Sequence, residues 1–463
     1  MRVLIVQFVN PQLSQPLPSF SNDIGVLASL LKPEGITCHL AAMPGYRPDL
    51  LAAAVARYQP QHVLVDLSPY AVTAAHRTIV DLAEKFSLPV AVFGQFATCR
   101  PARAMSIPGV GALMLGEYEL TAVEFFRAMA KGKDPAGIAG LWMHAGGKLV
   151  KGPLRPLMRD VDFLPFADRD LFDYARIVQA QGEAGFKACR GCSQWCAHCL
   201  NDWYMDLYAE LDHFLRRRSV GKLLEEVSAV VSRYDGIEQV RFYDHAFATD
   251  LPWLRTFAAD YPKRCARPYR CYVPPAAVSP EVAALLASSL CQGVTVDFGS
   301  GSRFIREEVY SMLVSNEQII EACRTLRDAG LAVTAEVFVG SPYESEITVE
   351  ETLALLAKTE ADEVRAKVYY PTPGTRAAEL CSENDWISGR GEENYWLGRS
   401  VLNMPSMPPE HIDAVAAKFH SLLKRPGSDA VHKLLEKTAR PRKGFLGLLG
   451  LRGKAHRRQV RPW

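Results

Sequence analysis

The sequence predicts an α/β protein built from two successive parallel-sheet units. The first is a doubly wound, Rossmann-like sheet and the second a partial (β/α)6 barrel, followed by a small helical extension. Short buried apolar runs alternate with helix-patterned segments, the alternation lapses between about 133 and 180, and it resumes up to about residue 376. Strands that alternate with helices favour parallel sheets, because each helix carries the chain back to the same edge.

The first unit is predicted over residues 1–132. Its five strand candidates are RVLIVQFV, TCHLAAM, HVLVDLS, PVAVFG and ALMLG. Doubly wound sheets bind ligands where their strands end, and glycines there let a bulky ligand approach the backbone. The candidate ligand-binding residues at these ends are Ser68, Gly94, Gln95, Gly116 and Glu117.

Residues 133–180 are predicted to form a β-hairpin, turning at Gly146 and Gly147, and a linker. The barrel is predicted over 181–376, with strands near 184–190, 238–243, 268–273, 293–298, 332–339 and 363–370. Its active site would lie at the carboxyl ends of these strands.

A helical extension is predicted over 377–438, in which Trp386, Tyr395 and Trp396 form either a substrate platform or ordinary packing. The basic tail, residues 439–463, is predicted to be a disordered end, with contact to a membrane or nucleic acid as the alternative.

The composition limits the cellular compartment and the binding partners that are expected for this protein. The chain has 463 residues, 53 basic and 51 acidic, a balance that argues against a general polyanion surface, so no nucleic-acid partner is expected. The first apolar run is short and is interpreted as a buried strand, not a signal peptide. No run reaches the ~18 apolar residues of a membrane span, so a cytoplasmic protein without a transmembrane segment is expected. Its eleven cysteines are then expected to be reduced.

Four of those cysteines fall within KACRGCSQWCAHCLNDW, residues 187–203. Cys192, Cys196 and Cys199 have the spacing C-x3-C-x2-C, in which three thiolates reach three irons of one cubane and leave the fourth iron open. Cys189 leaves two alternatives, a cluster closed by four cysteines or a zinc site. Zinc ribbons, however, usually separate their cysteine pairs by a dozen or more residues.

A C-x3-C-x2-C loop at the head of a βα barrel resembles the radical S-adenosylmethionine superfamily. The resemblance implies a [4Fe-4S] cluster whose open iron binds S-adenosylmethionine and cleaves it to a 5′-deoxyadenosyl radical. It also implies an electron donor such as flavodoxin or ferredoxin.

Further segments match the family in order. VRFYDHAFATD implies that Asp244 lies near the methionyl amino group, and SSLCQGVTVDFGSGS implies that Ser300 lies near its carboxylate. VFVGSPYES implies that Gly340 and Pro342 lie near the adenine, and YYPTPGT resembles the stretch after the sixth strand.

One departure concerns the ribose. The family has Glu where this chain has Gly299, so Glu336 is the candidate for the ribose contact. The alternative for Glu336 is an internal ion pair with Arg241 or Lys367, since an unpaired charge inside an apolar strand is costly.

The amino-terminal unit resembles the cobalamin-binding domain that precedes the barrel in one branch of the superfamily. Ser68, FGQFAT and GEYELT carry this resemblance. No Asp-x-His-x-x-Gly motif follows the first strand, which implies cobalt without a histidine beneath it. A domain that has lost its cobalamin is the alternative.

Together these features predict cobalamin-dependent methylation of an unactivated carbon in a small-molecule or peptide substrate. Ring formation or rearrangement, with or without cobalamin, is the alternative within the superfamily. A non-catalytic iron–sulfur or zinc-binding protein is the alternative of another class.

Overall fold

The computed structural model describes residues 1–9, 19–209 and 214–422, with side chains described up to 419. The described chain forms two parallel sheets, as the fold prediction requires. The strands are β1 (Arg2–Phe8), β2 (Thr37–Met43), β3 (His62–Asp66), β4 (Val90–Phe93), β5 (Val110–Met114), β6 (Leu141–Ala145), β7 (Lys148–Lys151), β8 (Glu183–Phe186), β9 (Cys189–Arg190), β10 (Arg216–Arg217), β11 (Gln239–Phe242), β12 (Tyr269–Tyr272), β13 (Cys291–Gly299), β14 (Ala332–Val339) and β15 (Glu363–Val368).

Helices follow the strands on the pattern read from the sequence. They are α1 (Asn22–Leu31), α2 (Pro48–Tyr58), α3 (Val72–Glu84), α4 (Gln95–Cys99), α5 (Pro101–Met105), α6 (Glu119–Ala130), α7 (Tyr174–Gln181), α8 (Leu200–Leu207), α9 (Val220–Arg233), α10 (Leu251–Arg264), α11 (Pro280–Ser288), α12 (Asn316–Asp328), α13 (Glu346–Thr359), α14 (Arg376–Glu383), α15 (Glu393–Trp396) and α16 (Pro409–Leu422).

The first sheet has the order β2-β1-β3-β4-β5-β6-β7, and its first five strands are parallel. Apart from the exposed Arg2, β1 is buried along its whole length, as a central strand covered on both faces must be. The strand order reverses between β1 and β3, where a crevice opens at the strand ends. The predicted hairpin around Gly146 and Gly147 is β6 and β7, which extend this sheet antiparallel to β5.

The second sheet has the order β15-β14-β13-β12-β11-β8, with every pairing parallel. Six parallel strands in this order are the number that the predicted partial barrel requires. One apolar core runs from α1 and α6 of the first sheet through Phe172 and Tyr174 into the barrel interior, so the two sheets pack as parts of one body.

The carboxy-terminal extension consists of α14, α15 and α16. Helix α16 packs against β15 and β14, where Ile412 lies beside Gly340. The predicted basic tail lies outside the described residues. No helix among the described residues combines the length and apolarity needed to cross a bilayer.

Candidate active site

A cavity of about 1060 Å³ lies between the carboxyl ends of the two sheets. Ten of the thirteen predicted site residues line it. From the first unit these are Ser68, Gly94, Gln95, Gly116 and Glu117, and from the barrel they are Cys192, Cys196, Cys199, Asp244 and Glu336.

The three spaced cysteines lie on one loop between β9 and α8. Hydrogen bonds hold this loop at both ends of its central turn: the Ala197 amide donates to the Tyr310 carbonyl over 2.8 Å, and the Cys199 amide donates to the Cys196 carbonyl over 2.9 Å. The Cys199 sulfur also accepts from the Asn201 amide at the start of α8, over 3.5 Å. The thiols are therefore presented to the cavity by an anchored loop.

Burial raises the pKa of all three thiols, that of Cys199 to about 11. A thiolate here needs a cationic partner, and metal ions deprotonate coordinating thiols. Among the described residues, no three His, Cys, Asp or Glu side chains converge as ligands of a single metal ion do. Each thiolate of a cubane site binds its own iron, and three cavity-facing thiols on one loop fit that requirement.

Asp244 contacts the segment just before the cysteine loop and is almost fully buried. Its carboxylate accepts hydrogen bonds from the amides of Ala188 and Cys189, over 2.6 and 3.0 Å. Burial raises the pKa of Asp244, although these two amides act in the opposite direction. Asp244 thus braces the strand that leads into the cysteine loop.

Glu336 forms one of the two ion pairs considered from the sequence. Its Oε1 lies 2.5 Å from Lys367 Nζ, whereas Arg241 pairs with Glu183 at 2.9 Å, so the expected alternative through Arg241 is wrong. The register allows this pairing, because Glu183 on the neighbouring strand β8 lies opposite Gln239, two residues from Arg241 and on the same face of the sheet. Glu336 Oε2 is buried and accepts no hydrogen bond, with Arg365 Nη1 3.7 Å away, so this oxygen can still accept a hydrogen bond from a donor in the cavity.

Three predicted residues do not line the cavity. Ser300 is fully buried, and its hydroxyl lies 3.3 Å from that of Thr352 on α13. Gly340 has a φ of +81° and a Cβ there would come within 2.6 Å of Ile412, while the neighbouring Pro342 is buried. Their contacts to S-adenosylmethionine remain predictions.

The amino-terminal wall is made of tight strand-end turns. Gly94 has a φ of +101°, and a Cβ there would come within 2.3 Å of Asp66 Oδ1. The Gly116 amide donates to Thr98 Oγ1 over 3.1 Å, and a Cβ at Gly116 would come within 2.0 Å of the Tyr208 hydroxyl. Both positions therefore require glycine. No histidine lies among the described residues that line this side.

Aromatic rings form another part of the cavity wall. Tyr70 of the first unit stacks on Tyr395 of the extension, with ring centroids 3.8 Å apart, and the Trp396 indole donates to the Tyr70 carbonyl. Tyr395 and Trp396 line the cavity, whereas Trp386 packs against Tyr343 away from it. Of the three aromatic residues predicted to form either a substrate platform or ordinary packing, two therefore line the cavity and one is packing.

Several cavity residues were missed by the sequence analysis. They are charged or aromatic side chains to which the sequence assigned no role in the site, chiefly Asp23, Tyr70, Lys187, Arg190, Arg216, His245 and Asp297. Lys187 and Arg190 had an available signal, since both flank Cys189 in the cysteine-rich segment.

No protein-family model matches the chain. An uncharacterised methyltransferase from Pyrococcus horikoshii is 25% identical over 456 residues, spanning 93% of this chain and 92% of its own length. A tRNA-2-methylthio-N(6)-dimethylallyladenosine synthase from Pelobacter propionicus is 28% identical over 207 residues. This match spans 44% of this chain and 40% of the synthase.

Two solved enzymes share the fold. The radical S-adenosylmethionine methyltransferase TsrM from Kitasatospora setae, with tryptophan and an S-adenosylmethionine analogue bound, matches with a TM-score of 0.65 and 17% identity over 85% of this chain and 82% of TsrM. The cobalamin-dependent enzyme OxsB, with aqua-cobalamin and S-adenosylmethionine bound, matches with a TM-score of 0.68 and 15% identity over 94% of this chain and 70% of OxsB.

The comparisons confirm the resemblance predicted from the sequence. The chain has the fold of cobalamin-dependent radical S-adenosylmethionine enzymes. The predicted enzyme class and cofactor set agree with these relatives: TsrM has been solved with cobalamin and a [4Fe-4S] cluster, and OxsB with cobalamin and S-adenosylmethionine.

Proposed function

We propose that this protein is a cobalamin-dependent radical S-adenosylmethionine methyltransferase that acts on an unactivated carbon of a small molecule or peptide. The observation that carries the proposal is the shared cavity, since the predicted cluster cysteines and the predicted corrin-binding strand ends line the same space. Two cofactors that face each other across one cavity can act on one substrate without releasing it.

On the barrel side, Cys192, Cys196 and Cys199 would hold the cluster. Asp244 would receive the methionyl ammonium, since its carboxylate lines the cavity and is held beside the segment that leads into the cysteine loop. Glu336 Oε2, which accepts no hydrogen bond, would accept one from a ribose hydroxyl while Oε1 stays paired with Lys367. Ser300, Gly340 and Pro342 would complete the S-adenosylmethionine site.

On the opposite side, Ser68, Gly94, Gln95, Gly116 and Glu117 would support the corrin. The turns at Gly94 and Gly116 leave no room for a side chain, so no side chain at these two positions projects into the space proposed for the corrin. The absence of a histidine among the described residues of this wall favours cobalt without imidazole below it.

When bound, the two cofactors supply reductive cleavage of S-adenosylmethionine and a transferable methyl group. The chain contributes binding, orientation and exclusion of water, as proteins do around reactive cofactors. An electron donor such as flavodoxin or ferredoxin would serve the cluster.

The test is anaerobic reconstitution of the full chain with iron, sulfide and hydroxocobalamin, followed by cofactor quantification. The expected result is one [4Fe-4S] cluster and one cobalamin per chain, with a cobalamin spectrum that lacks histidine ligation. S-adenosylmethionine with a reductant should yield both S-adenosylhomocysteine and 5′-deoxyadenosine.

Two outcomes would redirect the proposal. A cluster with 5′-deoxyadenosine but no cobalamin would favour ring formation or rearrangement, with the first unit serving substrate recognition. A metal site that never cleaves S-adenosylmethionine would favour the non-catalytic alternative.

A further inference from the structure

Three basic side chains beside the cysteine loop face three carboxylates of the first unit. We call this set the ionic seam. Its members are Lys187, Arg190 and Arg216 on the barrel side and Asp23, Glu117 and Glu119 on the amino-terminal side. All six line the cavity between the units.

The contacts of the ionic seam are direct and shared. Lys187 Nζ lies 2.9 Å from Asp23 Oδ2, and Arg190 contacts Glu119 while lying 3.5 Å from Asp23. Arg216 donates two hydrogen bonds to Glu117, over 2.6 and 2.8 Å. Since Arg190 also lies 3.7 Å from Glu117, the pairs form one network.

Much of the network is removed from water. The side chains of Arg216 and Glu119 are each 4% exposed and that of Arg190 is 14% exposed. Charges this buried are tolerated only beside a partner. The partners lie on different units, so these ion pairs form only when the two units dock in the observed arrangement.

The network connects the two places where cofactors are proposed to bind. Lys187 and Arg190 lie within five residues of Cys192. Glu117 directly follows Gly116, and Glu119 begins α6. Elsewhere around the cavity, Tyr70 stacks on Tyr395 and its hydroxyl lies 3.4 Å from that of Thr372, and neither contact pairs opposite charges.

We propose that the ionic seam fixes the spacing between the cysteine loop and the amino-terminal strand ends, and that its six members are positioning residues for the methyl transfer. This inference rests on the proposed function. Reaction between groups held on separate units depends on their spacing, and an error of ~1 Å can cost ~100-fold in rate.

The test uses Arg190→Glu, which would place a fourth carboxylate among Asp23, Glu117 and Glu119. In the reconstituted enzyme, pulsed dipolar spectroscopy measures the coupling between cob(II)alamin and the reduced cluster, both of which carry unpaired electrons. The wild type should give one narrow distance distribution. Arg190→Glu should lose it, and the double variant Arg190→Glu with Glu119→Arg should recover it.

The matched control is Arg241→Gln, compared with Arg190→Gln. Arg241 pairs with Glu183 at similar burial, but the pair lies within the barrel. Arg241→Gln should keep the wild-type distribution, whereas Arg190→Gln should broaden it. Wild-type coupling in both Arg190→Glu and Arg190→Gln would overturn the proposal.

Failure of the proposed function can be separated from failure of the seam. If the chain takes up no cobalamin, small-angle X-ray scattering of the cofactor-free protein still reports the docking of the two units. An increased radius of gyration for Arg190→Glu, reversed by Glu119→Arg, would support the seam, and unchanged scattering would refute it.

Discussion

The thiol of Cys189 donates a hydrogen bond to Oδ1 of Asp244 over 3.2 Å, and both residues are almost fully buried. Burial and the Asp244 carboxylate raise the pKa of Cys189 well above that of a free cysteine. This thiol is therefore already engaged in a hydrogen bond with Asp244. Cys189 thus differs from the three cysteines of the loop, although all four are close in sequence.

The first prediction separates these cysteines by iron content. Replacing Cys192, Cys196 or Cys199 by Ala should abolish the [4Fe-4S] absorption and the cleavage of S-adenosylmethionine, because each would bind one iron. Cys189→Ala is the matched variant and should retain both, measured by iron and sulfide analysis after anaerobic reconstitution. Loss of the cluster in Cys189→Ala would instead indicate a site closed by four cysteines.

The second prediction concerns Asp244. Asp244→Ala should weaken binding of S-adenosylmethionine by about 2–4 kcal/mol, because a desolvated ammonium loses its charged partner. The measurement is equilibrium binding to the cluster-loaded protein. Asp250→Ala, which removes a half-exposed helix-capping aspartate six residues later, should leave the dissociation constant unchanged. Equal affinities for both variants would show that the end of β11 does not contact the ligand.

Periodicity was sufficient to predict the strands that position the site. The predicted runs overlap β1 to β5 and the six barrel strands. Strands β1 and β4 are buried on both faces and therefore appear as continuous apolar runs, whereas β11 and β12 alternate buried and half-buried residues. The cysteine loop could also be predicted, because the C-x3-C-x2-C spacing places three thiols close together in the chain.

Contacts between distant segments could not be predicted in this way. The direction in which Ser300 points is decided by Thr352, which lies on a helix fifty-two residues later. Glu336 could be expected to need a cation, but only the register of β14 and β15 shows which residues supply it: Arg365 lies opposite Glu336 and Lys367 two residues further along the strand, and both pair with the carboxylate. Ion pairs across the cavity likewise depend on how the two units pack, which no local pattern records.

The third prediction concerns the corrin wall. Gly94→Trp should abolish cobalamin binding while leaving the cluster intact, because Gly94 has a φ of +101° and no space for a side chain beside Asp66. The measurement is cobalamin retained after gel filtration, together with iron content. Gly132→Trp is the control, since Gly132 also has a positive φ but faces open space. Cobalamin retention by Gly94→Trp would place the corrin elsewhere.

The last prediction concerns the pH dependence of stability. Burial, followed by the charge of Asp23, raises the pKa of Asp66 from 3.8 to about 7, and no hydrogen bond or ion pair of the Asp66 carboxyl offsets this among the described residues. Between about pH 4 and 7 the folded chain therefore binds more protons at Asp66 than the unfolded chain does. By linkage, this carboxyl lowers the free energy of unfolding as the pH rises through that window.

Asp66→Asn should remove this loss, because the amide has the same shape and no charge. The cofactor-free variant should match the wild type near pH 4 and exceed it by about 1–2 kcal/mol above pH 7, a figure below the full shift because Asp66 is only partly buried. Denaturant unfolding at several pH values provides the measurement, with Asp235→Asn, an exposed aspartate before β11, as the control. Parallel curves for wild type and Asp66→Asn would mean that Asp66 is ionised normally in the folded protein.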